Sequence, residues 1–93
     1  METKVRAHVI FRGKVQGVNF RVHAQEKAVG LGLTGWVQNL PNREVEAVFE
    51  GEGKLVEEAV AWCRDRQPYA QVSEAEVTFQ PYAGEYTTFE VRR

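Results

Sequence analysis

The stretch GKVQGVNFR, Gly13 to Arg21, sets two glycines four residues apart among two basic residues and an aromatic. Those residue types suit an oxyanion. A glycine at position 17 can take φ > 0 and let neighbouring backbone N–H groups converge into a concave nest, while the guanidinium of Arg21 offers a planar fork of donors to two phosphate oxygens. If the stretch joins a strand to a helix, the unpaired N–H groups and the dipole of that helix start favour the same anion. The competing reading is a plain turn, since glycines in such a connection commonly serve only the reversal and an arginine in a first helical turn is commonly solvated. Two phosphate motifs are excluded. Gly17 is followed by Val18 and Asn19 where a Walker A loop needs Lys and Ser or Thr, and the GxGxxG of dinucleotide folds is missing.

Other reactive side chains are sparse. His8, His23 and Cys63 show no metal-ligand spacing, and a lone cysteine cannot form an internal disulfide. His23 competes as base or nucleophile because it lies two residues past Arg21. At ~100° per residue, however, the two side chains project ~200° apart around a helix, so His23 reads as solvated or edge-packed. His8 falls on the outer face of a strand and also reads as structural. Asn39, taken alone, is an ordinary strand-end turn residue.

The elements that must position these groups follow from period. Lys4 to Arg12 alternates, with Val5, Ala7, Val9 and Phe11 on one face, and so reads as a half-buried strand. From Phe20 the spacing turns helical through Ala24, Ala28 and Leu31, and Gly30 and Gly32 are stop signals. Thr34 to Asn39 reads as a short strand, LPNR as a turn, and Glu44 to Glu50 as the second arm of a hairpin with Val45, Ala47 and Phe49 inward. A second helix is expected from Lys54 to Arg66, stopped by Pro68, followed by a strand through Ser73, Ala75, Val77 and Phe79. PYAGEY reads as a loop, and Phe89 and Val91 as a last short strand or edge segment. Strand, helix, strand, strand, helix, strand is the order of the ferredoxin-like split βαβ plan: an α+β sandwich with a mainly antiparallel sheet of four or five strands, two helices on one face and the other face left to solvent.

Size and charge bound the rest. With 93 residues and 43% hydrophobic composition, residues 1–93 fit a single compact domain able to bury something like ~60–65% of its unfolded surface. There is no apolar run near the ~18 residues a bilayer span requires and no signal-peptide pattern, so a soluble, cytoplasmic protein is expected. Residues 1–27 hold six basic against two acidic side chains, a net +4, and the remainder carries −5 within the overall −1. That asymmetry suits a local anion site rather than a polyanion binder. RNA binding on an open sheet face is disfavoured, because Glu44, Glu46 and Glu50 lie where an RNA reader needs aromatic and basic residues.

GKVQGVNFR together with GWVQNLPNREVEAVFEG, Gly35 to Gly51, resembles the two signature segments of acylphosphatases. Gly13, Val15, Gln16, Gly17, Val18, Phe20 and Arg21 match the first; Gly35, Trp36, Val37, Asn39, Val45 and Gly51 match the second. The resemblance spans almost the whole chain and implies a ferredoxin-like fold and hydrolysis of the carboxyl-phosphate bond of small acyl phosphates. It implies phosphate binding by the loop of Gln16, Gly17, Val18, Asn19, Phe20 and Arg21, with Arg21 and Asn39 catalytic and Asn39 holding the attacking water. No metal, cofactor, nucleic-acid or membrane partner is expected, and a monomer is. Lys14 falls at an open position of the pattern. One departure is Arg43, after Asn42, where the family usually has Gly; Asn42 is expected to take the left-handed conformation instead. The alternative function is a non-catalytic phosphate-loop binding module.

Overall fold

The computed structural model describes residues 3–93. The alternation in the first strand, β1 (Lys4–Lys14), holds: Ala7, Val9 and Phe11 are fully buried while Arg6, His8, Ile10 and Arg12 face the other way, partly exposed. After it come α1 (Phe20–Gly30), β2 (Thr34–Asn39), β3 (Val45–Glu52), α2 (Gly53–Asp65), β4 (Gln71–Gln80) and β5 (Phe89–Arg92). The strands form one five-stranded sheet in the order β4-β1-β3-β2-β5, antiparallel except where β5 runs parallel to β2. This is the expected ferredoxin-like architecture. α2 starts and ends one residue earlier than its spacing suggests, because the side chain of Glu52 caps it by accepting from the Lys54 amide.

One apolar layer between sheet and helices holds the fold together. Phe11, Phe20, Phe49, Val9, Val37 and Val45 are all fully buried there, each contributing about 1.5–3 kcal/mol through removal from water. The Phe20 ring meets Phe11 with centroids 5.0 Å apart. That contact docks the first residue of α1 onto β1, and so fixes where Arg21, the next residue, begins its reach.

Gly13 belongs to this scaffold. The register of β1 against β4 shifts between Arg12 and Gly13, and a Cβ at Gly13 would collide with the Gln71 carbonyl oxygen and lie 2.7 Å from the Ser73 nitrogen. Its φ of 116° is likewise open only to glycine.

The outer face of the sheet is not simply left to solvent. β4 and β5 are opposite edges, so residues 81–88 must cross about four strand spacings, ~19 Å, a distance that eight extended residues can span. They cross on the outer face. Glu50 on β3, buried to 1% exposure, accepts from the amides of Ala83 and Glu85 at 3.1 and 3.2 Å. Arg6 on β1 donates to Glu85 at 2.6 Å, and Trp36 on β2 donates to the Tyr86 hydroxyl at 3.0 Å.

Candidate active site

α1 begins without a cap. Its N-cap residue, Asn19, is left-handed at φ 60° and ψ 29° and its side chain makes no capping hydrogen bond; no acidic residue occupies the first turn. The His23 amide donates to the Asn19 carbonyl at 3.1 Å, so the amides of Phe20, Arg21 and Val22 precede the first helical bond and have no helical acceptor. The positive end of the dipole is thus left uncompensated by the chain's own carboxylates. Gly17 is also left-handed, at φ 78°, and a Cβ there would meet nothing within 4 Å. Glycine is needed at 17 for conformation, not for room. Positive φ at 17 and 19 curls the loop into the concave form that backbone N–H donors need to converge.

Arg21 and Asn39 line one pocket of about 210 Å³, with Gln16, Gly17, Asn19 and Phe20 beside them. Arg21 Nη1 donates to the Arg92 carbonyl at 2.9 Å. That bond orients the guanidinium and uses one of its five donors. Asn39 is the last residue of β2 and is exposed. Val18, alone of the loop residues named above, is off the wall, its side chain packed against the core. The Phe20 ring too belongs to the core, so what it brings to the site is its place at the helix start.

Val91 and Arg93, beyond the reach of the sequence reading, also line the pocket. The parallel pairing of β5 with β2, Val37 opposite Val91 and Gln38 opposite Arg92, brings them beside Asn39. No period in the tail carries strand order, so this neighbourhood had no sequence signal. Among the described residues the wall holds two arginines and no Asp or Glu side chain, which suits an anion.

The hairpin turn after Asn39 differs from expectation. Arg43, not Asn42, is left-handed, at φ 73°. The Asn42 side chain accepts from the Glu44 amide at 3.1 Å, and its own amide reaches the Glu44 carboxylate at 2.9 Å. An Asx turn of this kind leaves the positive φ to the next residue. From the loop, Gln16 Nε2 donates to the carbonyls of Leu40 and Glu44, both at 2.8 Å.

The remaining candidates lie elsewhere. His23 lines a separate cavity with Lys27, Trp62 and Pro68. His8 Nε2 sits 2.7 Å from Glu46 Oε2 on the outer face. Partial burial pushes the Glu46 carboxyl up, but hydrogen bonds from His8 and Gln38 overcome it and hold the group below the ordinary carboxylate range. Lys14 is exposed and off the wall. Burial pushes the Cys63 thiol up to about 12, which leaves it without nucleophilic thiolate.

Ferredoxin-like sheets host many activities; what distinguishes this α+β sandwich is an uncapped helix start that lines one pocket with an arginine and a strand-end asparagine. A model of the acylphosphatase family matches residues 7–91, and the chain belongs to that family. The acylphosphatase of Aeropyrum pernix is 50% identical over 92 residues, covering 98% of this chain and 91% of the relative. The acylphosphatase structure from Coxiella burnetii superposes with a TM-score of 0.89 at 38% identity, over 96% of this chain and 93% of that one. For the structure from Bacillus subtilis the TM-score is 0.91 at 28% identity, over 96% and 99%.

Proposed function

We propose that this chain hydrolyses acyl phosphates by holding the phosphoryl group between Arg21 and the amides of the 16–21 loop while Asn39 orients the attacking water. The observation that carries the reading is the uncapped start of α1: Phe20, Arg21 and Val22, whose amides have no helical acceptor, line one pocket with Asn39. Acylphosphatases cleave a mixed anhydride whose leaving group, a carboxylate, is stable without a proton. No strong general acid is needed. The demand is to stabilise negative charge spread over the equatorial phosphoryl oxygens, and preorganised N–H donors aimed at them act where that charge develops.

Asn39 is an amide and takes no proton at neutral pH, so its task is alignment of water with the scissile bond. An oxygen of the substrate phosphate accepts the water's proton, a role supported by the absence of any Asp or Glu side chain from the pocket wall among the described residues. The site is built from one chain, which suits a monomer, and Cys63 is buried and unpaired, which suits a reducing cytoplasm.

The test is direct. Purified protein incubated with an aryl acyl phosphate accelerates its loss, and inorganic phosphate inhibits competitively. Phosphate binding without any acceleration over buffer would replace this reading with that of a binding module.

A further inference from the structure

We propose that Gln16 is a positioning residue, whose side-chain amide sets the distance between the phosphate cradle and Asn39. The inference rests on the roles of Arg21 and Asn39 given above. The cradle follows β1 and Asn39 ends β2, but these strands are not neighbours, because β3 lies between them. The ladders meet at Val45, which pairs Phe11 of β1 on one side and Asn39 of β2 on the other, but they stop short of the loop that follows β1. Gln16 bridges that gap with one amide group, which donates at 2.8 Å to Leu40, the residue after Asn39, and at 2.8 Å to Glu44, the residue before β3.

Both acceptors are already engaged by the turn itself. The Leu40 carbonyl takes the Arg43 amide at 3.2 Å, and the Glu44 carbonyl takes the Leu40 amide at 2.8 Å. A carbonyl has two lone pairs, so Gln16 fills the second on each. The turn it grips is pinned from the far side as well, since Arg12 Nε donates to the Glu44 carboxylate at 2.7 Å. A side chain bridging two carbonyls must bring two N–H donors, which glutamate at neutral pH lacks and methionine cannot supply. A small displacement of Leu40 passes directly to Asn39, and in-line attack tolerates little misplacement.

The test uses Gln16→Met and Gln16→Glu, each alone and in an Asn39→Ala background, with an aryl acyl phosphate as substrate and inorganic phosphate as inhibitor. Either substitution alone lowers kcat by about 10–100-fold, while KM and phosphate inhibition stay within about twofold because the cradle is spared. With Asn39 already removed, the same substitution costs less than about twofold in kcat, since Gln16 acts through Asn39. Equal losses in the two backgrounds overturn the proposal, as does an unchanged kcat. Phosphate inhibition also checks folding; its loss in both the apolar and the isosteric variant overturns the proposal too, because a brace alone leaves the cradle intact. Failure of the parent reading shows separately, as unaltered phosphate inhibition in Arg21→Ala.

Discussion

The two helices begin in opposite ways. α2 is finished internally: Glu52 sits at its N-cap in an extended conformation, φ −63° and ψ 132°, and accepts from the Lys54 amide. α1 is left open, with its N-cap Asn19 in a left-handed conformation and its side chain making no capping bond. A helix that serves only packing gains by closing its first amides on a side chain. One that omits the cap, with no carboxylate in its first turn and an arginine at its second position, leaves those donors free, and the function proposed above gives them to the phosphoryl group. The difference between the ends divides the proposed site from the scaffold, and the substitutions below at Arg21, Asn19 and Glu52 each act on one end and spare the other.

The largest effect is expected from Arg21→Ala, which removes the charged half of the cradle. kcat/KM falls by about 10³-fold or more, competitive inhibition by inorganic phosphate disappears, and far-ultraviolet circular dichroism stays native because Arg21 is not part of the core. Retained phosphate affinity would mean that Arg21 is no part of the phosphate site. Asn39→Ala comes next, with kcat lower by about 10²-fold and KM little changed, since water placement matters in the transition state more than in ground-state binding. A large KM effect with kcat preserved would make Asn39 a binding residue.

Most of the fold could be read from period alone, and so could the open end of α1, because GKVQGVNFR carries its own turn chemistry and Phe20 starts a helical spacing. Asn39 was different: a strand-end asparagine has no distinguishing signal, and only the second signature singled it out. What stayed hidden depends on partners far along the chain. Gln16 bonds to carbonyls 24 and 28 residues away, and backbone carbonyls leave no mark on residue type. The crossing of residues 81–88 over the outer face rests on Glu50, more than 30 residues earlier, which by alternation is one more outward carboxylate. Arg43 took the left-handed position because the Asn42 side chain was spent on the Glu44 amide, a choice between two adjacent residues that propensity does not resolve.

A milder change makes the open end resemble the closed one. Asn19→Asp keeps a residue type tolerant of the left-handed region and places a carboxylate at the start of α1. The dipole favours it by about 0.3–1 kcal/mol, so thermal stability is held or raised. The same charge opposes a phosphoryl dianion in the pocket, and inhibition by inorganic phosphate weakens about tenfold, equivalent to about 1.4 kcal/mol. Stability and phosphate affinity moving apart is the signature of an end kept open for a ligand. Unchanged affinity would show that the anion sits elsewhere.

The smallest effect is expected at the closed end. Glu52→Ala removes the α2 cap, whose bond to the Lys54 amide is long at 3.4 Å, so the loss belongs at the low end of the capping range, about 0.5 kcal/mol. Chemical denaturation reads this as a lower midpoint with an unchanged slope. Because Glu52 lies off the pocket wall, kcat, KM and phosphate inhibition stay at wild-type values. A drop in kcat from Glu52→Ala would mean that the two helix starts are coupled through the sheet, and the division of labour between them would fail on that result even if the substitutions at α1 behaved as expected.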